Sequence, residues 1–360
     1  MERLHSLDFL RSFAMLLGLV IHAPLIFYEP SILVEFGIYD KPQPELWISI
    51  IIVFITNWRM PLFFMLSGFF AIMIIHKRGI SQFLWDRVVR IGFTCLLFCL
   101  IYDLLDGKLD FTLDHLWFLY YLLLFAVIFS LLYKINFFKN FFTKTISPIE
   151  LIILAVCLIM TLPLSLSLNS IQIEDWSQFA FLDPPKNYAD FKFGNLVYYF
   201  SFFLAGTLFY FNRNWFGSIG QIKIIVLLFI LSIMAFLIQL AVFNFPLIYI
   251  FLKGINTLFW CLLFLGLATR FFYISNSIVT WFVELSYSIY ILHLMPIIFI
   301  SVTLYKAGLS QISIFLFSII TGLVFSIILY YLLIKFTPLN WIVNGYSKSF
   351  FRLKFFGIVK

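Results

Sequence analysis

The sequence predicts an all-α integral membrane protein, a polytopic bundle of about ten transmembrane helices with both termini in the cytoplasm. Of its 360 residues, 63% are hydrophobic and 11% are charged, whereas soluble domains are about half apolar and a quarter charged. The apolar residues also form unbroken runs of about 18–25 residues, the length that a helix needs to cross the hydrocarbon core. The lipid bilayer is therefore the first expected partner.

Ten apolar runs are the candidate spans. In lipid every backbone polar group needs an internal partner, so the runs are predicted to be helices, because barrel strands would alternate in polarity over about ten residues. The second run is long for one crossing and contains Pro61, which predicts either a bent helix or an interfacial helix before the span. The runs cover residues 8–27, 46–75, 88–102, 116–133, 149–168, 194–212, 221–243, 246–268, 278–301 and 311–336.

The lysine and arginine residues predict the orientation. With the N-terminus inside, most of the 24 basic residues, such as Arg78 and Arg213, fall on the cytoplasmic side, whereas acidic residues such as Asp103 fall outside. This bias is the positive-inside pattern, and it predicts an outer loop at about 169–193. In a membrane protein the net charge of +7 gives no indication of nucleic acid, and no nucleic-acid partner is expected.

The first run carries two ionisable residues, Arg11 and His22. Eleven residues make three helical turns plus roughly 20°, so both side chains are predicted on one face, roughly 16 Å apart along the axis. A neutral histidine suits proton removal from a hydroxyl, and an arginine suits a phosphate-bearing donor. The pair is therefore a candidate catalytic pair. The alternative is an arginine that snorkels to the interface and a histidine bonded to a neighbouring helix.

Arg87 and Arg90 form a second basic pair, at the start of the third run. The i, i+3 spacing predicts both guanidinium groups on one helix face, at the same membrane surface as Arg11. Phosphate binding is one interpretation, and ordinary positive-inside charge is the other.

The ninth run contains Ser286 and His293, seven residues apart and predicted to share a helix face. Glu284 precedes them and is expected to be a carboxylate buried within the span, which would need a partner such as Arg59 or Lys253. His293 could serve in catalysis or in a structural hydrogen bond between helices. His115 starts the fourth run at the outer face, where anchoring at the membrane interface is the favoured interpretation. The five histidines show no metal-ligand spacing, and no metal site is expected.

These segments resemble the acyltransferase-3 family of membrane-bound O-acyltransferases. The matching residues run in family order from residue 7 to 293: Leu7 to Leu10 with Arg11 and His22, the Arg59 to Phe69 stretch that includes Ser67, Arg87 with Arg90, His115 to Tyr120, and Ser286 to His293. Within the family, the stretch that begins at Arg59 is most similar to the glucan biosynthesis protein C group, which is associated with succinylation of periplasmic glucans.

The resemblance implies a multi-pass enzyme of the bacterial inner membrane. Such an enzyme moves an acyl group from cytoplasmic acyl-CoA, as acetyl-CoA or succinyl-CoA, to a hydroxyl of an extracytoplasmic glycan, and it keeps no permanently bound cofactor. By position, His22 would be the essential histidine, Arg11 its paired arginine, and Arg87 with Arg90 the donor-binding pair. Arg59, Ser67, His115, Glu284, Ser286 and His293 would be acceptor-side or supporting residues.

One membrane domain is predicted over residues 1–345, followed by a short basic cytoplasmic tail, 346–360. A polytopic transporter or flippase for a glycan or lipid-linked intermediate is the alternative function, because buried charges fit transport as well as catalysis. Repeated half-domains with interrupted helices would favour transport, and the sequence shows no such repeat.

Overall fold

The structure is a computed structural model of the chain, and it describes residues 5–107, 109–176, 182–272 and 277–345. In these ranges the chain is helical and forms no β-strand; one antiparallel bridge joins Thr112 and Asn187. The all-α prediction is confirmed. The predicted tail 346–360 and part of the predicted outer loop lie outside the described residues.

Seventeen α-helices follow one another in the described ranges. They are α1 (His5–His22), α2 (Leu25–Tyr28), α3 (Pro30–Glu35), α4 (Leu46–Arg78), α5 (Ile80–Arg87), α6 (Thr94–Leu105), α7 (Trp117–Lys134), α8 (Asn136–Phe142), α9 (Pro148–Leu168), α10 (Phe193–Phe211), α11 (Asn214–Ile219), α12 (Ile222–Ala241), α13 (Pro246–Phe271), α14 (Ser277–Leu292), α15 (Leu294–Lys306), α16 (Gln311–Leu329) and α17 (Leu339–Val343). Two π-helical turns are also present, Val88–Phe93 between α5 and α6 and Tyr330–Lys335 after α16.

Eight helical segments of the described ranges are long and apolar enough to cross a membrane, and a ninth is added if α14 and α15 form one bent span. The chain is thus a multi-pass membrane protein. The first predicted span is not among the eight, because α1 ends at His22 and carries Asp8 and Arg11 in its first half. Pro24 follows the end of α1 and has no N–H to continue the helix. The count of ten spans and the cytoplasmic location of both termini stay predictions.

The chain divides into two compact units. The first unit comprises Met1–Arg11 and Thr56–Ser275, and the second comprises Ser12–Ile55 and Asn276–Lys360.

In the first unit, α4 and α10 approach each other through two glycines. A Cβ on Gly68 would lie 1.9 Å from the Phe203 carbonyl oxygen, and a Cβ on Gly206 would lie 1.8 Å from the Met65 carbonyl oxygen. Small residues at a helix crossing allow this close backbone approach, which is a common device in membranes because packing rather than hydrophobicity drives helix association there. Gly68 belongs to the Arg59–Phe69 stretch, so part of that motif serves packing.

Also in the first unit, α4 runs through Pro61 without ending. Pro61 has no N–H for the carbonyl of Asn57, four residues earlier. The hydroxyl of Thr257 on α13 replaces that donor, 2.8 Å from the Asn57 carbonyl oxygen. In lipid, a side chain of a neighbouring helix commonly satisfies a carbonyl freed by proline in this way.

The side chain of Asn57 extends this contact into a buried polar network. Its Oδ1 accepts a hydrogen bond from Lys253 Nζ at 2.8 Å, and its Nδ2 donates to Gln239 Oε1 at 2.9 Å. Asn256 Nδ2 donates to the same Gln239 oxygen at 2.7 Å. All of these residues are buried. The network therefore joins α4, α12 and α13 at the turn before Arg59.

A loop cluster, residues 109–116 and 182–192, completes the first unit. Buried Asp103, near the end of α6, accepts hydrogen bonds from the backbone N–H of Phe111 and from the Thr112 hydroxyl, at 2.5 and 2.7 Å. The Leu113 N–H donates to the Lys186 carbonyl at 2.8 Å. These bonds order both segments beside the start of α7.

In the second unit, a hydrophobic cluster packs the short helices α2 and α3 against α4 and α15. Its buried members are Ile26, Phe27, Leu33, Ile48, Val302 and Ile314. Ser301 on α15 donates to the Ala23 carbonyl at 3.1 Å, directly after the end of α1. This packing fixes the end of α1 that carries His22.

Candidate functional site

Arg11 lies in the part of α1 that belongs to the first unit. Its guanidinium is 3.5 Å from the Asp8 carboxylate and stands over the Phe70 ring, 5.0 Å from the ring centroid. One third of the Arg11 side chain is exposed. An arginine that is positioned by an aromatic ring and still partly open can bind an anionic ligand through charge-assisted hydrogen bonds.

Arg87 and Arg90 lie in a helix that is not regular. Arg87 ends α5 with its guanidinium 5.2 Å from the Phe83 ring centroid, and Arg90 belongs to the π-helical turn Val88–Phe93. The sequence predicted a regular α-helix with both residues on one face. A π turn hydrogen-bonds i to i+5, which changes the angle between residues three apart, and such turns are frequent at functional sites. Both arginines remain partly exposed.

His22 and His293 come together in the second unit. Their ring centroids are 5.2 Å apart, with the ring planes tilted by 50°. His293 is fully buried, and its Nδ1 lies 2.6 Å from the carbonyl oxygen of Tyr290. Because a carbonyl only accepts, Nδ1 must carry the proton, and in the neutral ring Nε2 then holds the lone pair. The tautomer of His293 therefore follows from this one bond.

A break in the ninth predicted span places His293. The span is two helices, α14 and α15, that meet at His293 with a bend of 65°. Pro296, in the first turn of α15, has no N–H for the carbonyl of Leu292, four residues earlier, so the regular helix cannot continue through this point. The sequence predicted one continuous span over 278–301, and the break was missed although Pro296 stood in the sequence.

Ser286 meets α1 at a second point in the second unit. Its hydroxyl donates to the Ser12 hydroxyl at 3.1 Å, and both residues are buried. Along α1, Ser12 and then His22 therefore contact, in the same order, Ser286 on α14 and His293 directly after the end of α14. The two helices run parallel in this unit.

The structure corrects the expectation for Glu284. It is exposed on α14 rather than buried, so it needs no buried cation as a partner. Lys253, one of the partners that the sequence suggested, instead donates to Asn57 in the first unit. The next two residues of α14, Leu285 and Ser286, are buried instead, so Glu284 lies on the exposed side of the helix.

The remaining candidates lie in the first unit. Arg59 is buried in α4 and acts electrostatically on Tyr199 of α10. The Ser67 hydroxyl donates to the Phe63 carbonyl of its own helix at 2.9 Å. His115 is buried in the short 3₁₀ turn Asp114–Leu116, with its ring 5.5 Å from that of Tyr102. A residue that anchors the chain at the membrane interface would be more exposed than this.

Sequence reasoning missed the polar network around Asn57. Its members Gln239, Asn256 and Thr257 are polar residues inside apolar runs, and this was the available signal, because polar groups in lipid are costly and usually have a function. Of the network, the sequence indicated only Lys253, as one possible partner of Glu284, whereas its observed partner is Asn57.

The described helices thus carry a histidine pair, with His293 fully buried and His22 half-buried, and partly exposed arginines, which are groups that an enzyme site can use. A family model described as an acyltransferase domain matches residues 4–331. The chain therefore belongs to the acyltransferase-3 family.

Curated relatives of this chain include proteins named glucans biosynthesis protein C. Those from Escherichia coli O1:K1, O139:H28 and strain SE11 are each 32% identical to this chain over 95 residues, which is 26% of this chain. The match spans 23% of the length of each relative. No solved structure matches this chain.

Proposed function

We propose that this chain is an O-acyltransferase of the bacterial inner membrane that moves an acetyl or succinyl group from cytoplasmic acyl-CoA to a hydroxyl of an extracytoplasmic glycan. The observation that carries the proposal is the pairing of half-buried His22 with fully buried His293 in a member of an acyltransferase family. The name of the relatives, glucans biosynthesis protein C, supports a glycan acceptor.

In the proposed reaction His22 is the general base. It removes the proton of the sugar hydroxyl while the hydroxyl oxygen attacks the thioester carbon. The new C–O bond forms, the C–S bond breaks, and the proton passes from His22 to the departing CoA thiolate. Proton transfer by a positioned histidine contributes about 10²–10⁴-fold to a rate.

His293 supports this role through its fixed tautomer. Two imidazolium rings 5.2 Å apart would repel each other, so the geometry disfavours a positive charge on both rings at once. Because Nδ1 of His293 donates to the Tyr290 carbonyl, Nε2 carries the lone pair of the neutral ring and can accept a proton from a protonated partner.

The donor side is assigned to three partly exposed arginines of the first unit. Arg11, Arg87 and Arg90 are partly exposed, which an arginine that binds a soluble phosphate must be. Guanidinium groups bind phosphate through paired hydrogen bonds that fix its orientation. These residues would hold the phosphates of acyl-CoA at the cytoplasmic face.

The test uses the full-length protein in lipid nanodiscs, with labelled acetyl-CoA or succinyl-CoA and a glucan as acceptor. His22→Gln should lower turnover at least 100-fold, while His76→Gln, a histidine bonded to Tyr133 at the end of α4, should keep it. Full turnover by His22→Gln would refute the proposal. So would movement of a glycan across a vesicle membrane by a protein that consumes no acyl-CoA, because this is the outcome for a transporter.

Two further measurements sharpen the assignment. The double variant Arg87→Gln, Arg90→Gln should raise KM for acyl-CoA with little change in kcat, whereas the exposed pair Lys134→Gln, Lys139→Gln should leave KM unchanged. An unchanged KM in the arginine variant would remove the donor assignment. If rapid denaturation during turnover trapped labelled acyl group on the protein, the reaction would pass through a covalent acyl-histidine rather than by direct transfer.

A further inference from the structure

A cavity of 620 Å³ opens in the first unit beside α11 and the last turn of α13. Pockets for small molecules commonly have volumes of about 300–1,000 Å³. Its described lining residues include one cation and no acid: Phe216, Gly217, Gly220, Thr269 and Arg270. The positive-inside pattern predicts this end of the bundle on the cytoplasmic side.

Two glycines keep the cavity open. A Cβ on Gly220 would lie 3.1 Å from the Phe216 carbonyl oxygen and 3.2 Å from the Thr269 hydroxyl, so a side chain there would crowd the wall. A Cβ on Gly217 would meet no atom within 4 Å. The space in front of Gly217 is therefore available to a ligand, and a larger residue at 217 would occupy it without a clash at its Cβ.

A row of aromatic rings joins the cavity to Arg11. The Phe216 ring lies 5.8 Å from that of Phe69, and Phe69 lies 5.7 Å from Phe70, whose ring the Arg11 guanidinium covers. The ring of Phe9, two residues before Arg11, stacks on Phe272 at 3.9 Å. Two ring contacts therefore separate the cavity wall at Phe216 from the ring that the proposed donor arginine contacts.

We propose that this cavity binds the nucleoside-phosphate end of the acyl donor. Exposed Arg270 would pair with a phosphate, and the ring of Phe216 would provide an apolar wall for the base. The glycine backbone leaves room for the sugar. This proposal rests on the proposed function, since it takes acyl-CoA as the donor. It adds a second anchor that lies away from the Arg87–Arg90 pair in sequence.

The test measures binding rather than turnover. Calorimetry on the full-length protein in nanodiscs should detect binding of coenzyme A and of adenosine 3′,5′-bisphosphate, the nucleotide end alone. Gly217→Leu should weaken binding of the bisphosphate at least tenfold by filling the cavity, and Arg270→Gln should weaken it about tenfold by removing a charge-assisted hydrogen bond. The matched controls are Ser218→Leu, an exposed neighbour that does not line the cavity, and Lys139→Gln.

The outcomes separate this proposal from the proposed function. Unchanged bisphosphate binding in Gly217→Leu would overturn the cavity assignment, even if His22→Gln abolished turnover. Loss of binding in Gly217→Leu would support the assignment, even if His22→Gln kept full turnover. A third outcome concerns lipid. If the bisphosphate bound in zwitterionic nanodiscs but not in anionic ones at the same ionic strength, the cavity would be assigned to a lipid phosphate. The nucleotide assignment would then be overturned.

Discussion

The hydroxyl of Thr257 lies 2.8 Å from the carbonyl oxygen of Asn57, the acceptor that Pro61 leaves without its helical donor. The same hydroxyl is shared with the Lys253 carbonyl of its own helix, at 2.9 Å. The contact joins α13 to α4 one turn before Pro61, and it explains how a proline is accommodated near Arg59.

We therefore expect Thr257→Val to destabilise the protein by about 1 kcal/mol, because a buried carbonyl then loses its donor. Unfolding in mixed SDS micelles measures this change. Thr257→Ser keeps the hydroxyl and should restore most of the stability. Equal stability of Thr257→Val and the wild type would show that the bond contributes nothing.

The crossing of α4 and α10 should tolerate no side chain at Gly68. Gly68→Ala places a Cβ 1.9 Å from the Phe203 carbonyl oxygen, so the helices must separate, at a cost of about 2 kcal/mol or more. Thermal unfolding and the monodisperse fraction in size-exclusion chromatography report the effect. Gly217→Ala, which meets no atom within 4 Å, is the control, and equal melting temperatures for the two variants would contradict the prediction.

The sequence predicted the helices because apolar runs report burial in lipid directly. It also predicted Arg11 and His22 on one helix, since both lie in one run. It could not predict that His293 would face His22, because contacts between runs depend on packing that no local pattern encodes. The irregular turns at Arg90 and His293 were not predicted, because the sequence-based prediction assumed a strict α-helical period. A π turn breaks that period at Arg90, and a proline breaks it after His293.

Asp103 should control the order of the loop cluster. Asp103→Asn replaces an acceptor with an amide that cannot accept from both Phe111 and Thr112 in the same way, so the local loss should be about 1–3 kcal/mol. Hydrogen–deuterium exchange of residues 109–116 should then accelerate. Asp110→Asn, at an exposed position of the same segment, should leave exchange unchanged, and equal exchange in both variants would refute this role.

Tyr188, in the loop cluster, should make the stability of the folded protein sensitive to alkaline pH. Burial, together with the nearby thiols of Cys95 and Cys99, raises the pKa of its phenol, whose hydroxyl lies 3.3 Å from Cys95 Sγ. A group with a raised pKa in the folded state stabilises it fully below the unfolded value, about 10, and loses that contribution as pH rises further.

Stability of the wild type should therefore fall between about pH 10 and 11, and Tyr188→Phe should reduce that fall. Denaturant midpoints at pH 8, 9.5 and 11 measure the slope. Tyr39→Phe, at a position that is 80% exposed, should leave the slope as in the wild type. An identical slope in all three proteins would show that Tyr188 does not titrate with unfolding.

The variant His293→Asn tests the two ring nitrogens of His293 separately. The asparagine amide can still donate to the Tyr290 carbonyl, as Nδ1 does at 2.6 Å, but it has no lone pair at the position of Nε2. If His293 acts on His22 through Nε2, kcat should fall about 100-fold while the melting temperature changes little, and the pH profile of kcat should lose one limb. If His293 serves only to hold the helix break, His293→Asn should keep both kcat and its pH profile, and the second histidine then has no part in the chemistry.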